Sequence, residues 1–314
     1  MRILDYKLYV KLCLFIIFFG VVLFQLIQNK HLIINIINNN IIILFYILLL
    51  QLLYFLILNF RTYSSYKKFS KKILTLNSWS NIFFKSLIFN VSLNFTGTIY
   101  RALALKKFGI KYNSFLGVLY LLFFSYFITN FLCITVEVFI FTDIGLNFKL
   151  IYFIIFFILI FLIFYLINIL NFFLKKFILL NSYVIRITKT NNFLIQFSKK
   201  ELFNNKNIIN FFGLSFVLHL MEILIFILSY NIFFPKFTTE TLLLLFAVSF
   251  LLDRIPFLSN IIGSSEVIFA IFSTFLGVMF HEGLLIKFII RLTGMLAVSI
   301  CYFFYSSRFK KINL

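Results

Sequence analysis

Acidic side chains are scarce in this chain: nine Asp and Glu stand against 29 Lys and Arg in 314 residues, with only three His. No two acids form a paired-carboxylate motif in a polar loop, and none of the three His (His31, His219, His281) sits in the HExxH spacing of a zinc enzyme. The ten Gly include no Gly-rich phosphate loop, and no Ser or Cys lies on the sharp turn of a nucleophile elbow. Cys13, Cys133 and Cys301 are each isolated in a different apolar segment without a CxxC or an adjacent His, which argues against a disulfide framework and a metal centre alike. Long polar stretches are also missing. The longest, 175–210, is interleaved with Phe, Leu and Ile, so no separate soluble module of about 100 residues fits. These absences leave no catalytic residue, metal or cofactor to assign.

Apolar residues are what the chain has. With 63% hydrophobic residues, a mean hydropathy of +1.07 and runs of about 20 apolar residues, each long enough for a hydrocarbon core of roughly 30 Å, the composition is that of an all-α polytopic membrane protein. The 50 Phe, with abundant Ile, Asn, Lys and Tyr, reflect AT-rich codon usage and not aromatic chemistry. The net charge of +20 is concentrated between apolar runs, at 61–72, 101–111, 175–206 and 308–311. That is the positive-inside pattern of a membrane protein and not a nucleic-acid footprint.

Charge placement orders the chain as one integral membrane domain, 1–314. Six full spans are expected, at 8–27, 41–60, 114–141, 150–174, 208–231 and 284–305, with both termini and the basic stretch 175–207 in the cytoplasm. The first run is too long for a signal peptide and lacks a small-residue cleavage site, so it is expected to stay as an uncleaved span. Two further segments are apolar but broken. Lys85, Asn90, Asn94, Thr96 and Gly97 interrupt 81–105, and basic clusters flank it on both sides, which favours half-helices dipping in from the cytoplasm over a surface helix. In 238–281, pieces of roughly 14 and 15 residues flank a polar break from Asp253 to Glu266 that contains Arg254, Pro256 and Gly263. Fourteen residues reach only about 21 Å, so a hairpin re-entering from outside fits better than two spans. Broken segments approaching from opposite faces are the pattern an inverted-repeat transporter would give.

Ionisable groups inside spans cost about 2.5–3.5 kcal/mol each on insertion scales, so the few present are functional candidates. Glu137 follows Ser125, Thr129 and Cys133 at steps of four on one helical face, and Ser215, His219, Glu222 and Ser229 share another. Such stripes serve either as inter-helix hydrogen-bond seams or, for His219 and Glu222 one turn apart, as a proton relay. Arg291, about 10 Å inside the last span, either snorkels to the interface, receives a phosphate, or pairs with Glu266 or Glu282. Arg101 sits comparably at the mouth of the first broken segment, after Gly97.

The two interruptions resemble the transmembrane region of the lysylphosphatidylglycerol synthetase family, whose members are also described as flippase-like. The family signature P-I-S-P-G-G-L-G-V-R-E is matched at Pro256, Gly263 and Glu266, with Ser259, Asn260 and Ile261 replacing the second Pro and the Gly pair. The motif G-E-L-x-R-A is echoed by Gly97, Arg101 and Ala102, with Thr98 in place of the acid. The resemblance implies an all-helical domain that moves a lipid between leaflets, without the aminoacyl-transferase domain of the bifunctional members. Its partners would be membrane lipids, an anionic phospholipid or a lipid-linked glycan, received by Gly97, Arg101, Glu137, His219, Glu222, Asp253, Arg254, Pro256, Gly263, Glu266 and Arg291. The expected location is the cytoplasmic membrane of a bacterium. Two other classes are open: a transferase on a lipid-linked sugar using Asp253, His281 or Glu282 as base, and a scaffold acting through Lys199, Lys200 and Lys206.

Overall fold

A computed structural model describes residues 20–22, 24–25, 27–92, 96–141, 209–233, 238–254 and 263–312, and over these the protein is all-α. Its helices are α1 (Lys30–Asn39), α2 (Ile41–Lys67), α3 (Leu76–Ser92), α4 (Thr96–Lys106), α5 (Tyr112–Phe141), α6 (Leu214–Asn231), preceded by a π-turn at Ile209–Gly213, α7 (Thr239–Arg254), α8 (Ser264–Phe275) and α9 (Phe280–Ile312). Among the described residues four stretches are long and apolar enough to cross a membrane: Ile41–Lys67, Tyr112–Glu137, Asn210–Asn231 and Phe280–Ser307. They correspond to the expected spans at 41–60, 114–141, 208–231 and 284–305. Those at 150–174 and over most of 8–27 lie outside the described residues, as does the basic stretch 175–207.

On α2 the side chains of Ile41, Phe45, Leu49, Leu53, Leu56 and Phe60 are all exposed. Steps of three and four place them on one face, an apolar stripe that water would oppose and lipid would solvate. Together with the four long apolar helices this makes the chain an integral, polytopic membrane protein.

The broken segments form pairs of short helices. At 1.5 Å per residue α7 and α8 reach about 24 and 18 Å and α3 and α4 about 26 and 16 Å, each less than the roughly 30 Å of a hydrocarbon core.

The chain divides into two compact units, Met1–Asn59 with Thr75–Arg101 and Leu220–Leu314, and Phe60–Leu74 with Ala102–His219. In the first, α9 carries α3 and α8 against it, and α7 packs on α8. The fit is close: a Cβ at Gly283 would run into the Ser273 hydroxyl and the backbone of Ala270. Val267 and Ala270 of α8 meet Leu284 of α9, and the rings of Phe226, Phe246 and Phe269 meet edge to face at 5.5 and 6.0 Å. Phe84 of α3 stacks on Tyr305 of α9, and the Trp79 indole donates to the Asn59 carbonyl at 3.1 Å.

The second unit is organised by Arg61. Charge counting delivers this residue to the cytoplasm with the Lys cluster that follows. In the fold α2 continues to Lys67, and Arg61 is buried within the protein. Its Nη2 donates to the carbonyls of Leu122 (3.0 Å) and Phe211 (3.1 Å) and to the Ser125 hydroxyl (2.8 Å), and its guanidinium lies over the Tyr126 ring. The Phe211 carbonyl comes from the π-turn, whose wider ring disturbs the regular ladder; the Ser215 hydroxyl also donates to it.

Candidate functional site

The first unit holds an open cleft with a volume of about 520 Å³. Asp253 at the end of α7, Glu266 in the first turn of α8, and Lys287 and Arg291 of α9 bring two carboxylates and two cations to its wall. Leu87, Ile88, Phe55, Met295 and Val298 supply apolar surface, and Gln51, Asn90, Ser265 and Ser299 add uncharged polar groups. The volume lies within the range of small-molecule pockets, which are mostly apolar with a few placed polar groups.

Glu266 is set by the break that precedes it. Gly263 takes φ +93°, a conformation open to Gly at little cost, and its N–H donates to Glu266 Oε2 at 3.0 Å, as does the Ser265 hydroxyl at 3.0 Å. Glu266 Oε1 accepts from Arg291 Nη1 at 2.5 Å, with the Glu266 side chain 1% exposed and the Arg291 side chain 21%. Of the roles open to Arg291 in the sequence, pairing with Glu266 is the one the fold adopts. Glu282 instead accepts from the Met279 N–H at 3.1 Å, at the start of α9.

The second pair is differently exposed. Lys287 is buried, and its ammonium donates to Asp253 Oδ2 (2.6 Å) and to the hydroxyl (2.5 Å) and carbonyl (3.3 Å) of Ser249. Asp253 remains 47% exposed. Lys287 and Arg291, four apart on α9, thus present two positive charges one above the other on one face. Lys287 is the charged cavity-lining residue that sequence reasoning missed. Three residues inside the expected span 284–305 it reads as an interfacial snorkeler, and only its spacing from Arg291 marks it.

Gly97 and Arg101 serve this unit from behind. Arg101 does not line the cavity. It is buried, donates through Nε and Nη2 to the Ser86 hydroxyl at 3.1 and 2.8 Å, and lies over the Phe83 ring. Gly97 lets α4 close on α3, since a Cβ there would run into the Ser86 carbonyl and press on Asn90 Oδ1. Asn90 lines the cavity, so the first broken segment shapes the wall that the second one charges.

A smaller cavity of about 90 Å³ shares Gln51, Asp253 and Ile290 with the large one and contains Glu222, whose Oε1 accepts from the Tyr54 hydroxyl at 3.0 Å. His219 is placed elsewhere, in the second unit. Its Nδ1 meets Asn130 Oδ1 and its Nε2 meets Glu137 Oε1, both at 2.8 Å. Both ring nitrogens are therefore engaged by α5, and the carboxylate His219 meets is Glu137, three helical turns from Ser125, where helical spacing suggested Glu222. Pro256 lies outside the described residues, as do Lys199, Lys200 and Lys206. Among the described residues no three His, Cys, Asp or Glu side chains gather to hold a metal ion.

Comparison of the chain with protein-family models, with curated proteins and with solved structures yields no match in any of the three. The site therefore stands on its own geometry.

Proposed function

We propose that the protein receives an amphiphilic lipid with an anionic headgroup in the 520 Å³ cavity and moves it between leaflets. The observation that carries this reading is the polarity of the α9 face. Lys287 and Arg291 lie at one end of it, and Gly294, Met295 and Val298 follow at the next turns. A phosphate at the two cations would leave its acyl chain to run along the apolar turns and the facing Leu87 and Ile88.

Each cation already has a carboxylate partner, so an incoming phosphate competes for donors instead of meeting an uncompensated charge, which would be costly in a low dielectric. The Lys287–Asp253 pair opens more readily, because Asp253 is half exposed, whereas Glu266 is fixed by three donors. Re-entry of α7 and α8 from the outer face, with α3 and α4 dipping from the cytoplasm, would place the headgroup seat at the ends of short helices, whose unpaired peptide groups need a wet or protein lining. The resemblance to the lysylphosphatidylglycerol synthetase transmembrane region, carried by Gly97, Arg101, Pro256, Gly263 and Glu266, points the same way.

The test is exchange of a fluorescent anionic phospholipid in reconstituted vesicles, read by a membrane-impermeant quencher. Lys287→Met keeps the stem and removes the charge. It is expected to slow exchange by about tenfold or more, the effect of one lost charge-assisted hydrogen bond of roughly 1.5–3 kcal/mol. Exchange at the wild-type rate would exclude the two-cation seat.

A further inference from the structure

We propose that Asn130, His219 and Glu137 form a binding site for one exchangeable proton inside the membrane domain, a site the lipid reading does not use and on which it does not depend. His219 lies ten residues into the Asn210–Asn231 span, about 14 Å along it, and is fully buried. An imidazole at that depth must have both nitrogens satisfied, and the way it is satisfied fixes the protons.

Asn130 sets the first. Its amide nitrogen donates to the Tyr126 carbonyl at 2.8 Å, so the atom it turns to His219 is its oxygen, an acceptor. The facing Nδ1 must then carry a hydrogen. The second follows at Nε2, which stands 2.8 Å from Glu137 Oε1. A bare nitrogen and an ionised carboxylate would set lone pair against lone pair, so this contact requires a proton between them. Written as imidazolium and carboxylate, or as neutral imidazole and carboxylic acid, the cluster has the same composition and a net charge of zero, the state a low dielectric favours.

Releasing the proton breaks its bond to Oε1 or Nε2, hands it to water and leaves a net charge of −1. The carboxylate must then turn from the imidazole lone pair. Glu137 is the more accessible of the pair, its side chain 18% exposed against 0% for His219, while its Oε2 is buried without a hydrogen-bond partner among the described residues. Among the described residues the other ionisable groups nearby are few. Cys133 lies one turn before Glu137 on α5, Glu222 one turn beyond His219 on α6, where it accepts from Tyr54, and Arg61 is held at Leu122 and Ser125 further back along α5. The π-turn packed on α5 brings no titratable side chain.

The experiment is ¹⁵N-histidine NMR of the full chain in lipid. There are only three His, and His219→Gln identifies the signal in question. The expected spectrum at neutral pH has a protonated Nδ1 and an Nε2 sharing a proton, and raising the pH removes the shared proton in one step. Glu137→Gln, which keeps shape and removes the titrating acid, is expected to shift the Nε2 signal to that of a bare nitrogen at neutral pH. A bare Nδ1 in the unaltered protein, or an Nε2 signal unchanged by Glu137→Gln, would overturn the proposal. The first readout needs no variant and so does not depend on a substitution being tolerated. Lipid exchange measured alongside reports separately on the cavity.

Discussion

Removing one partner of the Glu266–Arg291 pair is worse than removing both. Arg291→Met strands a carboxylate that is 1% exposed, which is expected to cost about 3–5 kcal/mol, while adding Glu266→Gln to it should return a large part of that loss. Unfolding of the purified variants in mixed micelles measures both values, and a double variant no more stable than the single one would contradict a direct pair. That these two residues are candidates was legible in the sequence, because charge at depth is rare enough to stand out. Which acid Arg291 meets was not, since Glu266 and Glu282 are comparably near in sequence and only the turn at Gly263 and the start of α9 separate their roles. The burial of Arg61 and of Lys287 was not legible for a related reason. Each lies close to a span end, where a long cation ordinarily reaches water, and only packing shows that Ser125 and Ser249 take their hydrogens instead.

At the scale of elements, the interruptions within 81–105 and at Asp253–Glu266 were visible as polar residues in apolar runs, and short helices stand on either side of each. Their contribution to the cavity was not visible, because it runs through close approaches that a sequence does not display. Gly97→Ala tests one of them. The added methyl meets the Ser86 carbonyl, a backbone atom that cannot swing aside, so a loss of about 1–3 kcal/mol is expected along with a displaced Asn90. Thermal unfolding reads the first effect and lipid exchange the second; a Gly97→Ala protein with unaltered melting would show that α3 and α4 are not packed as described. The stripes of polar residues on α5 and α6 were likewise readable as stripes. Their pairing across helices, His219 to Glu137 and Asn130, required the fold, because helical periodicity defines a face but not the element opposite it.

For the whole molecule, class was the most legible property: hydropathy and the basic clusters imply a polytopic membrane protein, and four long apolar helices with an outward apolar stripe on α2 bear that out. The direction from which α7 and α8 enter the bilayer is tested by single cysteines at Thr238 and His281. Both should react with an impermeant reagent from the same side on either arrangement, so a third cysteine within 255–262 decides: re-entry predicts no reaction there from the opposite face, and two complete crossings predict reaction there. Lipid passage through the cavity is the central claim, and filling that space tests it most directly. Gly294 faces the cavity with its nearest obstruction, Gln51, 3.7 Å from where a Cβ would stand, so Gly294→Ala fits and Gly294→Phe takes up the room while every charged residue stays. In reconstituted vesicles the alanine variant should exchange anionic lipid within about twofold of the unaltered protein and the phenylalanine variant should lose exchange, a contrast of roughly tenfold or more for about 1.4 kcal/mol or more of blocked binding. A correctly inserted Gly294→Phe protein that still exchanges lipid at the unaltered rate would contradict it.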